Sequence, residues 1–209
     1  MKKNFLVATL SLTIATASSV AYAQFGGLTK ALGGASDATA SAGSSVSAEG
    51  LVKSYVGGTK NVMTSDVYML TALGMKEQAA KEELAMKNLT EGSTSAGLED
   101  AAKVQTESSK ALEEKMNGKK VTMDAEGKKN YSLGLLNLAK GVKSYMGLSG
   151  DVKNFRPGLG SISGAGQAAA YVVKSLPDST SNLLGTLKKA VAFARENKVE
   201  VPAEASSLI

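Results

Sequence analysis

The chain has no cysteine, no histidine and no tryptophan among its 209 residues. Without cysteine, a fold in an oxidising compartment must be held by packing rather than by disulfides. Losing histidine as well removes the commonest general base, the commonest nucleophile–base pairings and the usual zinc and copper(II) ligands. Arginine is confined to Arg156 and Arg195. The remaining cations are lysines interspersed with glutamates, which do not offer the planar, bidentate recognition that phosphate favours. Long apolar runs are also missing beyond the N-terminus. Lys, Asp or Glu interrupts every later hydrophobic stretch, so no membrane-spanning helix is expected in the body of the chain.

The N-terminus is different. Lys2 and Lys3 precede an uncharged apolar run from Phe5 to Ala17, and Ala21-Tyr22-Ala23 forms an Ala-x-Ala processing pattern. These are the three parts of a secretory signal peptide in their working order. The run of about 13 residues is short for a permanent bilayer span, which takes roughly 20. Cleavage after Ala23 leaves Gln24 first, with no cysteine to be lipidated. Residues 1–23 are therefore expected to be removed. The short Lys-Lys start and Leu/Ala/Thr-rich core resemble a bacterial signal, which makes the periplasm the expected location, with release from the cell left open.

Removing 23 of 209 residues leaves 186, enough for one domain with a core. Loss of Lys2 and Lys3 takes the 24 basic residues to 22 against 19 acidic ones, a net +3. Such a balance gives no broad electrostatic footprint for nucleic acid.

Residues 24–46 are rich in Gly, Ala, Ser and Thr, bury too little to offset their ordering entropy, and read as a flexible lead. Ser47 then offers an N-cap, with Val46 and Leu51 at the spacing of a hydrophobic staple. Leu51, Val52, Tyr55, Val56, Val62, Met63, Val67, Leu70 and Leu73 recur at helical spacing. Gly57-Gly58 is a place for a bend or break, and Gly74 for a stop or kink. Helical composition resumes from Met75 to Leu89. The turn Glu91–Ser95 introduces a third helix from about Ala96 to Asn117, whose apolar face is thin. Tyr131, Leu135, Leu138, Val142 and Tyr145 step at 4-3-4-3 and mark the central helix. Residues 147–163 read as an irregular connection. A helix from Gln167 to Leu176 is expected to stop at Pro177. A last helix runs from about Ser181 to Glu196, with an extended tail over 199–209. One echo stands out: Val52-Lys53-Ser54-Tyr55 returns as Val142-Lys143-Ser144-Tyr145. A duplicated helix or a shared amphipathic pattern would each produce it.

Motifs that carry chemistry are weak. Gly164-Ala165-Gly166-Gln167-Ala168-Ala169 fits G-x-G-x-x-A, but no strand precedes it, and small residues there suit close packing. Ser54 beside Lys53 and Ser144 beside Lys143 are adjacent on helices and do not face each other. Glu82-Glu83, Glu99-Asp100 and Glu113-Glu114 are carboxylate pairs of the kind glycoside cleavage uses. Glu77, Glu83, Glu99 and Asp124 nevertheless each stand four residues before a lysine, which is the spacing of a solvated ion-paired face. The methionines form no M-x-x-M or M-x-M cluster for copper(I) and read as core filling. Met69, Leu133 and Phe193 lie off their helices' main stripes, so they either meet a second helix or form an exposed binding patch.

The expectation is an all-α fold: a single bundle of five to six helices over 47–198. No catalytic residue, cofactor or metal is assigned. Function is expected to be non-covalent, as a protein-interaction module of adaptor, inhibitor or chaperone type. The alternative is a carrier of an apolar small molecule or lipid in a cavity between helices.

Overall fold

The structure, a computed structural model, describes residues 46–117, 121–155 and 164–209. The residues read as a signal segment, with Ala21, Ala23 and Gln24, and those of the Gly/Ala/Ser-rich lead up to residue 45 lie outside the described residues. Six helices follow in order: α1 Ala48–Ala72, α2 Lys76–Asn88, α3 Ser95–Met116, α4 Ala125–Asn154, α5 Ala165–Glu196 and α6 Ala203–Ser206. There is no strand among the described residues, and the all-α expectation holds. None of these helices is long and apolar enough to cross a membrane.

Short polar side chains start three of them. Ser47 accepts from the Gly50 N–H at 3.0 Å, Thr94 from Gly97 at 3.3 Å and Asp124 from Gly127 at 2.7 Å, so each takes up a donor that the first helical turn leaves free. At the other end of α1, Gly74 adopts φ 78°, and the Met75 N–H reaches back to the Leu70 carbonyl at 2.8 Å. This is a left-handed helix stop, which glycine adopts without a Cβ clash. Gly74 therefore ends α1 and turns the chain into α2.

The centre of the bundle is the antiparallel pair α1 and α4, and its seam is built from small residues spaced by seven. Gly127, Gly134 and Gly141 of α4 face the backbone oxygens of Ala72, Ser65 and Gly58 of α1. A Cβ added at these glycines would lie 3.4, 3.1 and 3.3 Å from those oxygens. As residue numbers rise by seven along α4 they fall by seven along α1, so the register is antiparallel over four turns of helix. Glycine lets the two backbones approach to within Cα–H···O distance. The larger residues beside the seam close over it: Leu51, Val62, Met63, Met69, Leu135, Leu138 and Val142 are all buried.

The seam explains why Gly57-Gly58 does not break α1. Gly57 points outward with nothing near it, whereas a Cβ at Gly58 would meet the Tyr145 ring at 2.7 Å. Tyr55 and Tyr145, the two tyrosines of the sequence echo, stack there with centroids 5.1 Å apart and ring planes 15° from parallel.

α5 packs on both central helices and on α3, α2 packs on α1 and α3, and α6 packs on α4 and α5. Three expectations about this half of the chain need correction. The central helix continues to Asn154, well into the stretch read as an irregular connection. Pro177 does not stop its helix: α5 runs unbroken through it. The price of about 3 kcal/mol for an interior proline is offset by buried Val172 and Leu176 before it and Leu183 and Leu187 after it. The C-terminal tail, read as extended over 199–209, is non-helical only to Pro202 and then forms α6. Lys198, at φ 55°, turns the chain, the Val199 N–H bonds the Ala194 carbonyl at 2.8 Å, and Val199 and Ala205 are buried.

Two glycine substitutions separate seam from surface. Gly134→Ala places a methyl 2.5 Å from Met69 Cγ and 3.1 Å from the Ser65 oxygen, and is expected to lower stability by about 1–3 kcal/mol in urea unfolding. Gly147→Ala has nothing within 4 Å and is expected to raise it by about 0.5–1 kcal/mol.

Candidate functional site

Along α1, Val62, Asp66, Met69 and Leu73 share one stripe, so Asp66 is carried into the interior by the helical repeat. Along α2 the same holds for Ala79, Glu82 and Leu89. Asp66 and Glu82 are 1 % and 0 % exposed, and α3 closes over them with Ser108 and Gln105. The Ser108 hydroxyl donates to Glu82 Oε2 at 2.6 Å. The Gln105 amide donates to Asp66, and its Nε2 also reaches Ser109 Oγ at 2.8 Å. One oxygen of each acid, Asp66 Oδ2 and Glu82 Oε1, has no hydrogen-bond partner among the described residues.

Burial first, and then the neighbouring Glu82 charge, push the Asp66 carboxyl well above the usual carboxylate range against the Gln105 hydrogen bond. Burial pushes Glu82 up to about 7, opposed by Ser108. Among the described residues no lysine or arginine is ion-paired with either acid. The energetically cheap state is therefore one in which the pair keeps protons, since desolvation and like charge both disfavour two carboxylates here. Glu82 was expected on a solvated acidic face beside Glu83. Instead it is buried, and Glu83 alone faces water, paired with Lys87 at 2.8 Å. Among the described residues no group of three or more His, Cys, Asp or Glu side chains is placed to hold a metal ion.

Two open grooves flank this polar cluster, one on either side of α3. The first, about 390 Å³, runs between α3 and the second half of α5. Its floor is Tyr55, Thr59, Val62 and Tyr145, and its walls carry Gln105, Thr106 and Ser109 opposite Ser181, Asn182 and Thr186. Thr59 donates to the Tyr55 carbonyl at 2.9 Å, which leaves the Tyr145 hydroxyl to donate to Thr59 at 2.6 Å. Burial raises the Tyr145 phenol further above its ordinary range, so it stays protonated and able to donate. A Lys189–Glu113 ion pair bridges the two walls, and the lysine holds the Glu113 carboxyl below its usual range. The second groove, about 440 Å³, lies between α2 and α3 and is lined by Leu84, Ala85, Leu89, Ala101 and Val104, with Ser108 among its lining. Leu84 is 62 % exposed.

Neither groove includes Met69, Leu133 or Phe193. Met69 is fully buried against Gly134 in the central seam, and Phe193 is buried against the Tyr131 ring with centroids 5.4 Å apart. Leu133 is half-buried on α4. The three do not form a common exposed patch, because two of them meet a second helix. Gln105 and Ser108 carry no sequence signal of their own. Asp66 and Glu82 did carry one, as acids on apolar stripes.

Both acids bind protons more tightly folded than unfolded. The stability that Glu82 contributes is complete below about pH 4.5 and is lost as pH rises through about 7. The expected loss between those limits, read as the urea midpoint, is on the order of 3 kcal/mol for Glu82. Glu82→Gln should flatten this dependence and be the more stable form at about pH 8. An unchanged slope in the variant would count against the assignment. The chain matches no protein-family model, no curated protein and no solved structure.

Proposed function

We propose that the protein is an exported, non-covalent binding protein that takes an extended segment of a partner protein in the groove between α3 and α5. One observation carries the reading: facing walls of that groove present neutral hydroxyl and amide side chains over a hydrogen-bonded tyrosine floor. An extended peptide offers alternating N–H and C=O groups that need partners. Ser, Thr, Asn and Gln each supply both a donor and an acceptor without the desolvation penalty of a charge. Of the groove's charged residues, Glu113 and Lys189 neutralise one another and Lys110 adds a positive charge, which favours a segment that is neutral or mildly acidic. A volume of about 390 Å³ lies in the usual range for ligand sites. Export to the periplasm rests on Lys2, Lys3, the Phe5–Ala17 run and Ala21-x-Ala23. An adaptor, an inhibitor and a chaperone would each use such a groove.

The carrier of an apolar small molecule is a second reading, supported by the apolar α2–α3 groove and exposed Leu84. A lipid-sized mass retained by the purified protein in native mass spectrometry would favour it over peptide binding.

A photo-crosslinking residue placed at Asn182 or Thr186 in cells making the protein is expected to yield a discrete covalent adduct with another protein. The same probe at Lys140, exposed on α4, should not. No adduct from the groove, or equal labelling from Lys140, would sink the proposal.

A further inference from the structure

α2, like α3, buries few of its residues. Only Ala79 and Glu82 of its thirteen residues are buried. Within the helix the remaining hold is partial, since Ala85 and Met86 are half-buried and the Thr64 hydroxyl donates to Met86 Sδ at 3.2 Å, while Leu73 and Leu89 are buried just beyond its two ends. The centre of the seat is thus a carboxyl group, set beside a second carboxyl on α1. Each acid keeps an oxygen with no partner among the described residues, a place that the proton of a neutral neighbour can fill.

The groups that face the pair are few. From α1 comes Asp66 itself, and from α3 the neutral Ser108 and Gln105. The charged neighbours of Glu82 on α2, Lys81 and Glu83, are exposed, and Glu83 is engaged by Lys87. No positive charge among the described residues compensates ionisation of the pair. Moving α2 away would bring water to the ionised pair, because Glu82 is carried on α2 itself. Buried Leu73 and Leu89 bound the segment that moves. It begins after the left-handed turn at Gly74 and ends in the short connection Leu89–Thr94, whereas its neighbour α1 is fixed by the glycine seam with α4.

We propose that α2 is a proton-held latch, closed on α1 and α3 while the Asp66–Glu82 pair keeps protons and lifted as the pair ionises, so that the face of α1 around Asp66 is presented as the pair loses its protons. No bond is made or broken other than the acid O–H, whose proton passes to solvent. The opening falls near neutrality, because burial raises Glu82 to about 7. The latch is independent of the peptide-binding reading, since α2 contributes nothing to the lining of the α3–α5 groove.

Hydrogen exchange of the whole protein, read by mass spectrometry at about pH 5.5 and about pH 8.5 and corrected for intrinsic exchange rates, tests it. Amides of Lys76–Asn88 are expected to lose at least about tenfold in protection at the higher pH, the equivalent of one pKa unit, while those of Tyr131–Tyr145 in α4 hold theirs. Glu82→Gln should keep α2 protected at both values. Constant protection of α2 in the wild-type protein overturns the latch. So does loss of α2 and α4 protection in step, which would mean the whole bundle loosens, or a Glu82→Gln variant with the wild-type response. Should that variant fail to fold, the wild-type comparison of α2 with α4 decides alone.

Discussion

The closeness of α1 and α4 is the constraint from which the remaining structure follows. Three glycines on one helix face three backbone oxygens on the other at a spacing of seven residues, and Met69 and Val62 of α1 pack directly over Gly134 and Gly141. A glycine in a helix interior costs about 0.5–1 kcal/mol in conformational entropy. Dispersion and Cα–H···O contacts along a tightly packed seam offset that loss. With the pair fixed, the large apolar residues on either side of it become two flanks. α5 with α3 covers one set of positions, and α2 packs across α1.

A seam of this kind also fixes the tyrosines. Tyr55 and Tyr145 stack where the pair ends in Gly58, and Thr59 links the Tyr55 carbonyl to the Tyr145 hydroxyl. The floor of the α3–α5 groove is therefore part of the most tightly packed region of the bundle. Its walls carry hydroxyl and amide side chains on two helices whose apolar faces are turned into the core. Rigid floor and polar walls suit a binding site that needs precise placement without chemistry.

The buried acids work in the opposite sense. They interrupt two apolar stripes and leave oxygens unsatisfied, in a fold that otherwise buries Leu, Val, Met and Tyr. Well-packed apolar residues at both positions would give a more stable bundle. A local conflict of this kind is the feature on which the proposed latch rests. Gln105 and Ser108 tie that cluster to α3, the helix that also forms a wall of each groove.

Helical periodicity and caps were legible in the residues themselves. Ser47, the turn before Ser95, the central helix around Tyr131–Tyr145 and the all-α class follow from local patterns, because capping and an amphipathic repeat act within a few residues. The same locality misled at Pro177 and Gly57-Gly58, where burial on both sides of a breaker outweighs its intrinsic penalty. Asp66 and Glu82 sat visibly on apolar stripes, but charged neighbours such as Glu83 and Lys87 made the solvated reading of α2 the natural one. Sequence alone determined the all-α class, the caps and the core of most helices, and which residue types are absent. Only the tertiary structure decided which glycines are a seam, which acids are buried and which polar faces confront each other, because those properties belong to the register between helices, and no single helix encodes its partner's position.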